Sequence, residues 1–277
     1  MQGDSNRIAL HFRKIVVLAL ANHHTILYLC NQSENNLHMK IKFLTLIVTV
    51  LFALSAYSNP VDELINRIDP GAAKKFRTEL VPAKRDFFEL SQYGNRVCIK
   101  GNTWVNIATG LNWYLKYYAG IHLSWNNMRA SLPVLLPRVL HPERHDTDMS
   151  LRYDFNYCTF SCSMAFWDWK RWQTEIDWMA LHGVNLPLAV VGEECVWRNM
   201  LLRLGYSRQE IGRFIAGPAF LAWWEMNNLE GWGGPLPMNW YKQQETLQKK
   251  ILARMKEMGM KPVLPGYCGM VPKKNKK

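Results

Sequence analysis

The chain has 277 residues, enough for one large domain or two modest ones, and 48% of them are hydrophobic and 12% aromatic. That composition excludes an intrinsically disordered polypeptide. The formal charge of +12 suggests nucleic acid, but its distribution argues against that. Residues 1–59 carry five Lys/Arg against two Asp/Glu, and the last five residues carry four lysines. Between them the two signs are interspersed, without a basic stripe or a DNA-binding motif, so no nucleic-acid partner is expected.

From Met39, "MKIKFLTLIVTVLFALSAYSNP" has a short basic start, an apolar run from Phe43 to Leu54, and the small residues Ala56 and Ser58. This is the three-part layout of a secretory signal peptide over residues 39–58, with cleavage expected after Ser58. The apolar run is shorter than the roughly 20 residues that span a bilayer, so no stable membrane insertion is expected after cleavage. Residues 1–38 show no coherent period and read as a non-native extension upstream of the true start at Met39. Cys30 falls in that extension, leaving Cys98, Cys158, Cys162, Cys195 and Cys268. An odd count supplies no disulfide framework. Cys158 and Cys162 lack the His or second Cys pair that would complete a zinc set, so neither a metal nor a cofactor is expected.

Residues 59–150 read as a small α/β domain. Val61, Leu64, Ile65 and Ile68 share one helical face. Asp86–Leu90 and Arg96–Lys100 are strands around a Tyr93-Gly94-Asn95 turn. The stretch "TWVNIATGLNWYLKYY" is a helix stopped by Gly120, and Ile121–Trp125 is a further strand. The polar run His141–Ser150 reads as a linker.

From Leu151 the pattern becomes strand–helix alternation. "RYDFNYC", "VNLPLAVV" and "KPVLPGY" are candidate strands, with Pro187 expected at an edge or bulge. The helix "WDWKRWQTEIDWMALHG" carries a stripe of Trp169, Trp172, Ile176, Met179 and Ala180, leaving Thr174 and Glu175 off it. Helices "EECVWRNMLLRLG", "SRQEIGRFI" and "WYKQQETLQKKILARMKEMG" follow, the last two separated by a Gly/Pro-rich excursion. Apolar strands alternating with helices imply a parallel sheet covered on both faces. The motifs Asn156-Tyr157-Cys158, Gly192-Glu193-Glu194 and Gly266-Tyr267-Cys268 all fall just after strand ends, where barrel enzymes place their chemistry. A full barrel takes about 250 residues. The expected fold is therefore a small N-terminal α/β domain followed, over residues 151–277, by the first part of a (β/α)8 TIM-type barrel, truncated after its third strand. The lysine-rich end, Lys273 to Lys277, reads as the point where the fold is cut off, not as a functional basic patch.

Four motifs in order, "WDWKRWQTEIDWMALHGVNLPLA", "GPAFLAW", "GPLP" and "GMKPVLPGYCGMVP", resemble family 89 of the glycoside hydrolases, the α-N-acetylglucosaminidases. "GNTWVNIATGLNWYL" is similar to that family's N-terminal domain. The resemblance implies a secreted or periplasmic enzyme, lysosomal in animal members, that removes terminal α-linked N-acetylglucosamine from glycans. It implies a retaining mechanism with two glutamates, which must stand about 5–5.5 Å apart. Both family glutamates belong to later barrel strands, beyond Lys277, and no position of this chain matches either, so the fragment is expected to be inactive. What carries over is part of the sugar pocket. Asn156 and Cys158 match the family's Asn-x-Cys, and Trp223 matches its pocket tryptophan. Glu194 matches a Gly-(Gln/Asn)-Glu position as a pocket-lining or supporting group. Glu193, Cys162 and Val190 depart from the pattern. Two alternatives stay open: a non-catalytic carbohydrate-binding fragment, and a related barrel glycosidase with another sugar specificity.

Overall fold

A computed structural model describes residues 59–266 and 270–272. The expected extension, the signal peptide, Cys268 and the lysine-rich end from Lys273 to Lys277 lie outside the described residues. Helix α1 (Pro60–Ile68) opens on Asn59, whose side chain accepts the amides of Val61 and Asp62, with proline at the first helical position. Val61, Leu64, Ile65 and Ile68 are all buried, as their spacing requires.

A 3-10 turn at Ala72–Lys75 leads into β1 (Phe76–Leu80), followed by β2 (Asp86–Tyr93) and β3 (Arg96–Gly101). Strand β1 has no counterpart in the sequence reading; its charged centre, Arg77-Thr78-Glu79, hides the pattern. Helix α2 (Trp104–Tyr117) is capped by the Thr103 hydroxyl and lies on the sheet. Gly110 permits that contact, since a Cβ there would stand 2.8 Å from Ile99 and 3.1 Å from Phe88.

Two expectations for this half are corrected. Ile121–Trp125 is not a strand. Gly120 turns the chain with φ +65°, the Ile121 amide bonds back to the Leu115 carbonyl, and a lone Ser124–Asn127 bridge remains. The segment is anchored by a side chain instead, because Trp125 donates to Glu175. The supposed linker contains β4 (Glu143–Thr147), paired antiparallel with β2 so that His145 faces Phe88. Its charged residues suit a sheet edge, where they discourage pairing with another chain. The sheet order is β1-β3-β2-β4, with β1 parallel to β3 and the other pairs antiparallel.

The second half begins with β5 (Tyr153–Asp154), short helix α3 (Thr159–Cys162), α4 (Trp169–Leu181) and β6 (Leu186–Pro187). Strands β5 and β6 are parallel, and Leu188 bridges in parallel to Val263, so the three expected barrel strands lie side by side. They are shorter than expected, for a local reason. Pro187 sits in the middle of the three, not at an edge: its carbonyl accepts from Val263 while its ring nitrogen has no hydrogen for the neighbouring strand. Leu188, Ala189 and Val190 are nonetheless fully buried.

Helix α4 is capped by Asp168 and ends before Gly183, which has φ +80°. Trp172, Ile176, Met179 and Ala180 are buried as expected, but Glu175 and Asp177 are buried as well. Helices α5 (Glu193–Arg203), α6 (Arg208–Phe214) and α7 (Leu221–Glu225) enclose a smaller cluster around Trp197, Phe214 and Trp224. Ser207 and Glu210 form a capping box at the start of α6. In the Gly/Pro-rich excursion, Gly217 passes so close to Gly233 that a Cβ would lie 2.1 Å from its carbonyl oxygen. Helix α8 (Met238–Glu257) then packs against α4.

One hydrophobic core runs from Val61 through α2 and α4 to Met260, so the N-terminal sheet and the barrel strands are built on a common interior. Polar groups reinforce the junction. Asn112 donates to the Leu181 carbonyl at 3.1 Å, and Arg152 reaches Asp86 at 2.8 Å and Asn106 at 3.1 Å. Among the described residues, no helix is long and apolar enough to cross a membrane.

Candidate functional site

The first barrel strand ends at Asp154, and the chain turns at Asn156. The Asn156 carboxamide oxygen accepts the Cys158 amide at 2.8 Å, fixing the start of α3. Its amide nitrogen has no partner among the described residues and lies at an open depression shared with Tyr153, Asp154, Tyr157 and Met226. Cys158, at the N-terminal end of α3, is a free and half-buried thiol; Cys162, one turn on, is free and exposed.

Helix α3 is pinned by Ser161, which sequence reasoning missed. Its buried hydroxyl accepts the Ala222 amide at 2.9 Å and donates to the Pro218 carbonyl at 3.4 Å. This holds α7, which carries Trp223, against α3. Trp223 is half-buried and packs on the main core. Its neighbour Trp224 points the other way, fully buried between Trp197 and Phe214.

After β6, Gly192 adopts φ +78° and the chain enters α5 on two glutamates. A helix N-terminus favours negative charge, yet burial wins at both. Glu194 is 1% exposed and its carboxyl is pushed up by burial, opposed by the hydrogen bond it accepts from Trp240 Nε1 at 2.7 Å. Burial, and then the neighbouring Glu194 carboxylate, pushes Glu193 up to about 8. Its Oε2 is buried without a partner among the described residues. The two cannot serve as acid and nucleophile on one bond, because successive residues of a helix do not face each other. The catalytic glutamates expected beyond Lys277 fall outside the described residues, which end at Pro272.

Glu194 lines a cavity of about 40 Å³ with Glu225, Trp240, Gln244 and Trp172. That is room for a water or two, against the roughly 300–1,000 Å³ of a small-molecule site. The cavity is too small to enclose a sugar ring. Asn156, Cys158 and Trp223 do not line it. Phe160 of α3, Pro218, and Leu221 and Ala222 of α7 line the cavity that Glu194 lines, whereas Asn156 lines the separate open depression and Trp223 packs on the main core. Trp240 and Glu225 were also missed, since nothing in their local pattern distinguishes them from packing residues. Among the described residues, no three His, Cys, Asp or Glu side chains converge to hold a metal ion. Cys195 is inert as a thiol: buried, it donates to the Tyr241 carbonyl and is pushed up to about 12, chiefly by burial.

Residues 152–277 match the family model for the α-N-acetylglucosaminidase TIM-barrel domain, and residues 59–138 match that for the N-terminal domain of the same family. The chain belongs to the α-N-acetylglucosaminidase family. It is 46% identical over 211 residues to the Homo sapiens α-N-acetylglucosaminidase, a match covering 74% of this chain and 28% of the human protein. The family 89 glycoside hydrolase from Clostridium perfringens, solved with 2-acetamido-1,2-dideoxynojirmycin, superposes with a TM-score of 0.74 at 41% identity, over 79% of this chain and 26% of that one. A form of the Clostridium perfringens enzyme with two glutamates replaced by glutamine, solved with its substrate GlcNAc-α-1,4-galactose, gives 0.74 at 40% identity, covering 80% and 26%. The chain thus spans little more than a quarter of the length of the relatives it matches. The α/β architecture of the two family domains is the one expected from the strand–helix alternation.

Proposed function

We propose that this chain is the N-terminal portion of a secreted glycoside hydrolase that removes terminal α-linked N-acetylglucosamine from glycans by a retaining, two-glutamate mechanism. The reading places an N-terminal α/β domain over 59–150 and the opening strands of a TIM barrel over 151–277, behind a signal peptide at 39–58. The observation that carries it is the coincidence of family and geometry. Asn156 and Cys158 follow β5 and Glu194 follows β6, which are parallel, and α7, which carries Trp223, is clamped to α3 through Ser161. In this reading Asn156 presents its free amide to sugar hydroxyls, Cys158 leaves room for the ring, and Trp223 offers a face for stacking. Glu194, its carboxyl pushed up by burial, supports the wall through Trp240. The proton donor and the nucleophile come from later strands, beyond Lys277, so the 277-residue chain alone does not hydrolyse its substrate.

The test uses the complete enzyme, this chain extended through its remaining strands, acting on an aryl α-N-acetylglucosaminide. Asn156→Ala is expected to lower kcat/KM at least about tenfold, the cost of one lost polar contact to substrate, with a stability loss of no more than the about 1 kcal/mol that the bond to the Cys158 amide is worth. Unchanged kinetics in that variant contradict the pocket assignment. Absence of any hydrolysis by the unaltered enzyme contradicts the substrate.

A further inference from the structure

Beside Trp240, on its other flank, a second and larger groove runs between the segment leading into α4 and the first half of α8. It offers about 500 Å³, within the range of ligand sites. Its lining is chemically distinctive: Phe166, Trp167, Trp169 and Trp240 supply four aromatic rings, and Lys242 and Lys250 stand on α8. Phe166 is 74% exposed and meets Trp240 edge-on at 6.0 Å. Covering that ring would remove apolar surface from water, so a ligand with an apolar face gains by docking against it. Neither lysine forms an ion pair among the described residues, and the carboxylate of Asp168 is occupied in capping α4.

We propose that this groove binds sugar units of a glycan chain beyond the terminal residue, an accessory carbohydrate site on the barrel rim; the inference rests on the glycosidase reading above. A pyranose ring presents an apolar face of C–H bonds and a circumference of hydroxyl oxygens. Flat indole and phenyl faces cover the first, and ammonium and carboxamide donors satisfy the second. A groove for an amphipathic helix would offer branched aliphatic side chains, whereas Leu247 is the one aliphatic residue lining this one. Trp240 lines both this groove and the cavity of Glu194, to which its Nε1 donates.

The test compares two substrates in the complete enzyme: an aryl α-N-acetylglucosaminide, which ends at the scissile bond, and an oligosaccharide ending in α-linked N-acetylglucosamine. Phe166→Ala is expected to raise KM for the oligosaccharide about fivefold to tenfold, the worth of one aromatic contact, and independently the surface change Lys250→Glu at least about fivefold, the worth of one hydrogen bond from a charged donor. Both should leave KM and kcat for the aryl substrate as they were. An unchanged oligosaccharide KM in both variants, or a parallel rise for the aryl substrate, overturns the proposal. So does displacement of the oligosaccharide by single-stranded RNA, or burial of Phe166 under a later segment of the polypeptide. If the unaltered enzyme cleaves neither substrate, the glycosidase reading fails, and oligosaccharide binding by titration calorimetry, weakened or unchanged in Lys250→Glu, still decides the groove.

Discussion

Replacing Asp177 by alanine is expected to be the most damaging charge deletion in the molecule. Its carboxylate, 5% exposed, accepts from Arg67 Nε at 2.6 Å and Nη2 at 3.0 Å, and from Arg254 Nη2 at 3.0 Å. The Arg254 side chain is 3% exposed and also donates to the Pro60 carbonyl at 3.1 Å, so α1, α4 and α8 converge on one buried network. The other carboxylates near Arg254, Glu63 and Glu257, are 43% and 57% exposed and partner it only from the solvent side. Without Asp177, the buried Arg254 guanidinium loses its one buried carboxylate, and Arg67, 31% exposed, loses its closest partner. Breaking a buried ion pair from one side costs about 3–5 kcal/mol, a large share of the roughly 5–15 kcal/mol that holds a domain folded. Replacing both partners is a different matter. Arg254 Nε already lacks a partner among the described residues, and an apolar pair of similar volume desolvates no charge. Arg67, 31% exposed with Glu63 at 3.9 Å, keeps access to solvent and to a second carboxylate, so Asp177→Leu combined with Arg254→Met should unfold within about 1–2 kcal/mol of the parent. Urea unfolding followed by tryptophan fluorescence measures both. A loss below about 1 kcal/mol for Asp177→Ala, or a double variant as weak as the sum of its single changes, refutes the reasoning.

The remaining expectations are narrower. Trp172→Ala removes a side chain 1% exposed from the α4–barrel contact and should cost about 3–5 kcal/mol, read by the same unfolding curve; a cost below about 2 would mean that the site collapses around the gap. Glu193 carries a raised folded pKa of about 8 against an ordinary 4.5, so the native state binds the extra proton between those values. Its contribution to stability is full below pH 4.5 and is lost as the pH rises towards 8. Glu193→Gln should flatten the fall of Tm across that window, and an unaltered Tm–pH profile would show that the carboxyl titrates normally.

Much of this architecture was legible because helix faces are written locally. Trp172, Ile176, Met179 and Ala180 recur at helical spacing and are buried together. Glu175 was placed off the buried stripe and Asp177 was not singled out, because their partners are remote: Trp125 lies 50 residues before Glu175 and Arg254 77 residues after Asp177. Strand β4 passed for a linker because an edge strand needs no apolar alternation, and β1, at the other edge, left no readable signal for the same reason. The barrel strands were located correctly but drawn too long, since Pro187 interrupts the ladder in a way its apolar neighbours conceal. At the site, motif resemblance singled out Asn156, Cys158, Glu194 and Trp223. Ser161 and Trp240, which hold that scaffold together, act through contacts 61 and 46 residues away.

The central claim is that this chain supplies a pocket wall and the frame of a barrel, while the acid and the nucleophile come from elsewhere. The direct measurement is release of the aryl group from an aryl α-N-acetylglucosaminide by two purified proteins: residues 59–277, and the same chain extended past Lys277 through the later barrel strands. The account predicts no turnover by the first and turnover by the second. Hydrolysis by residues 59–277 alone, abolished by Glu194→Gln, would contradict it and would make Glu194 a catalytic group.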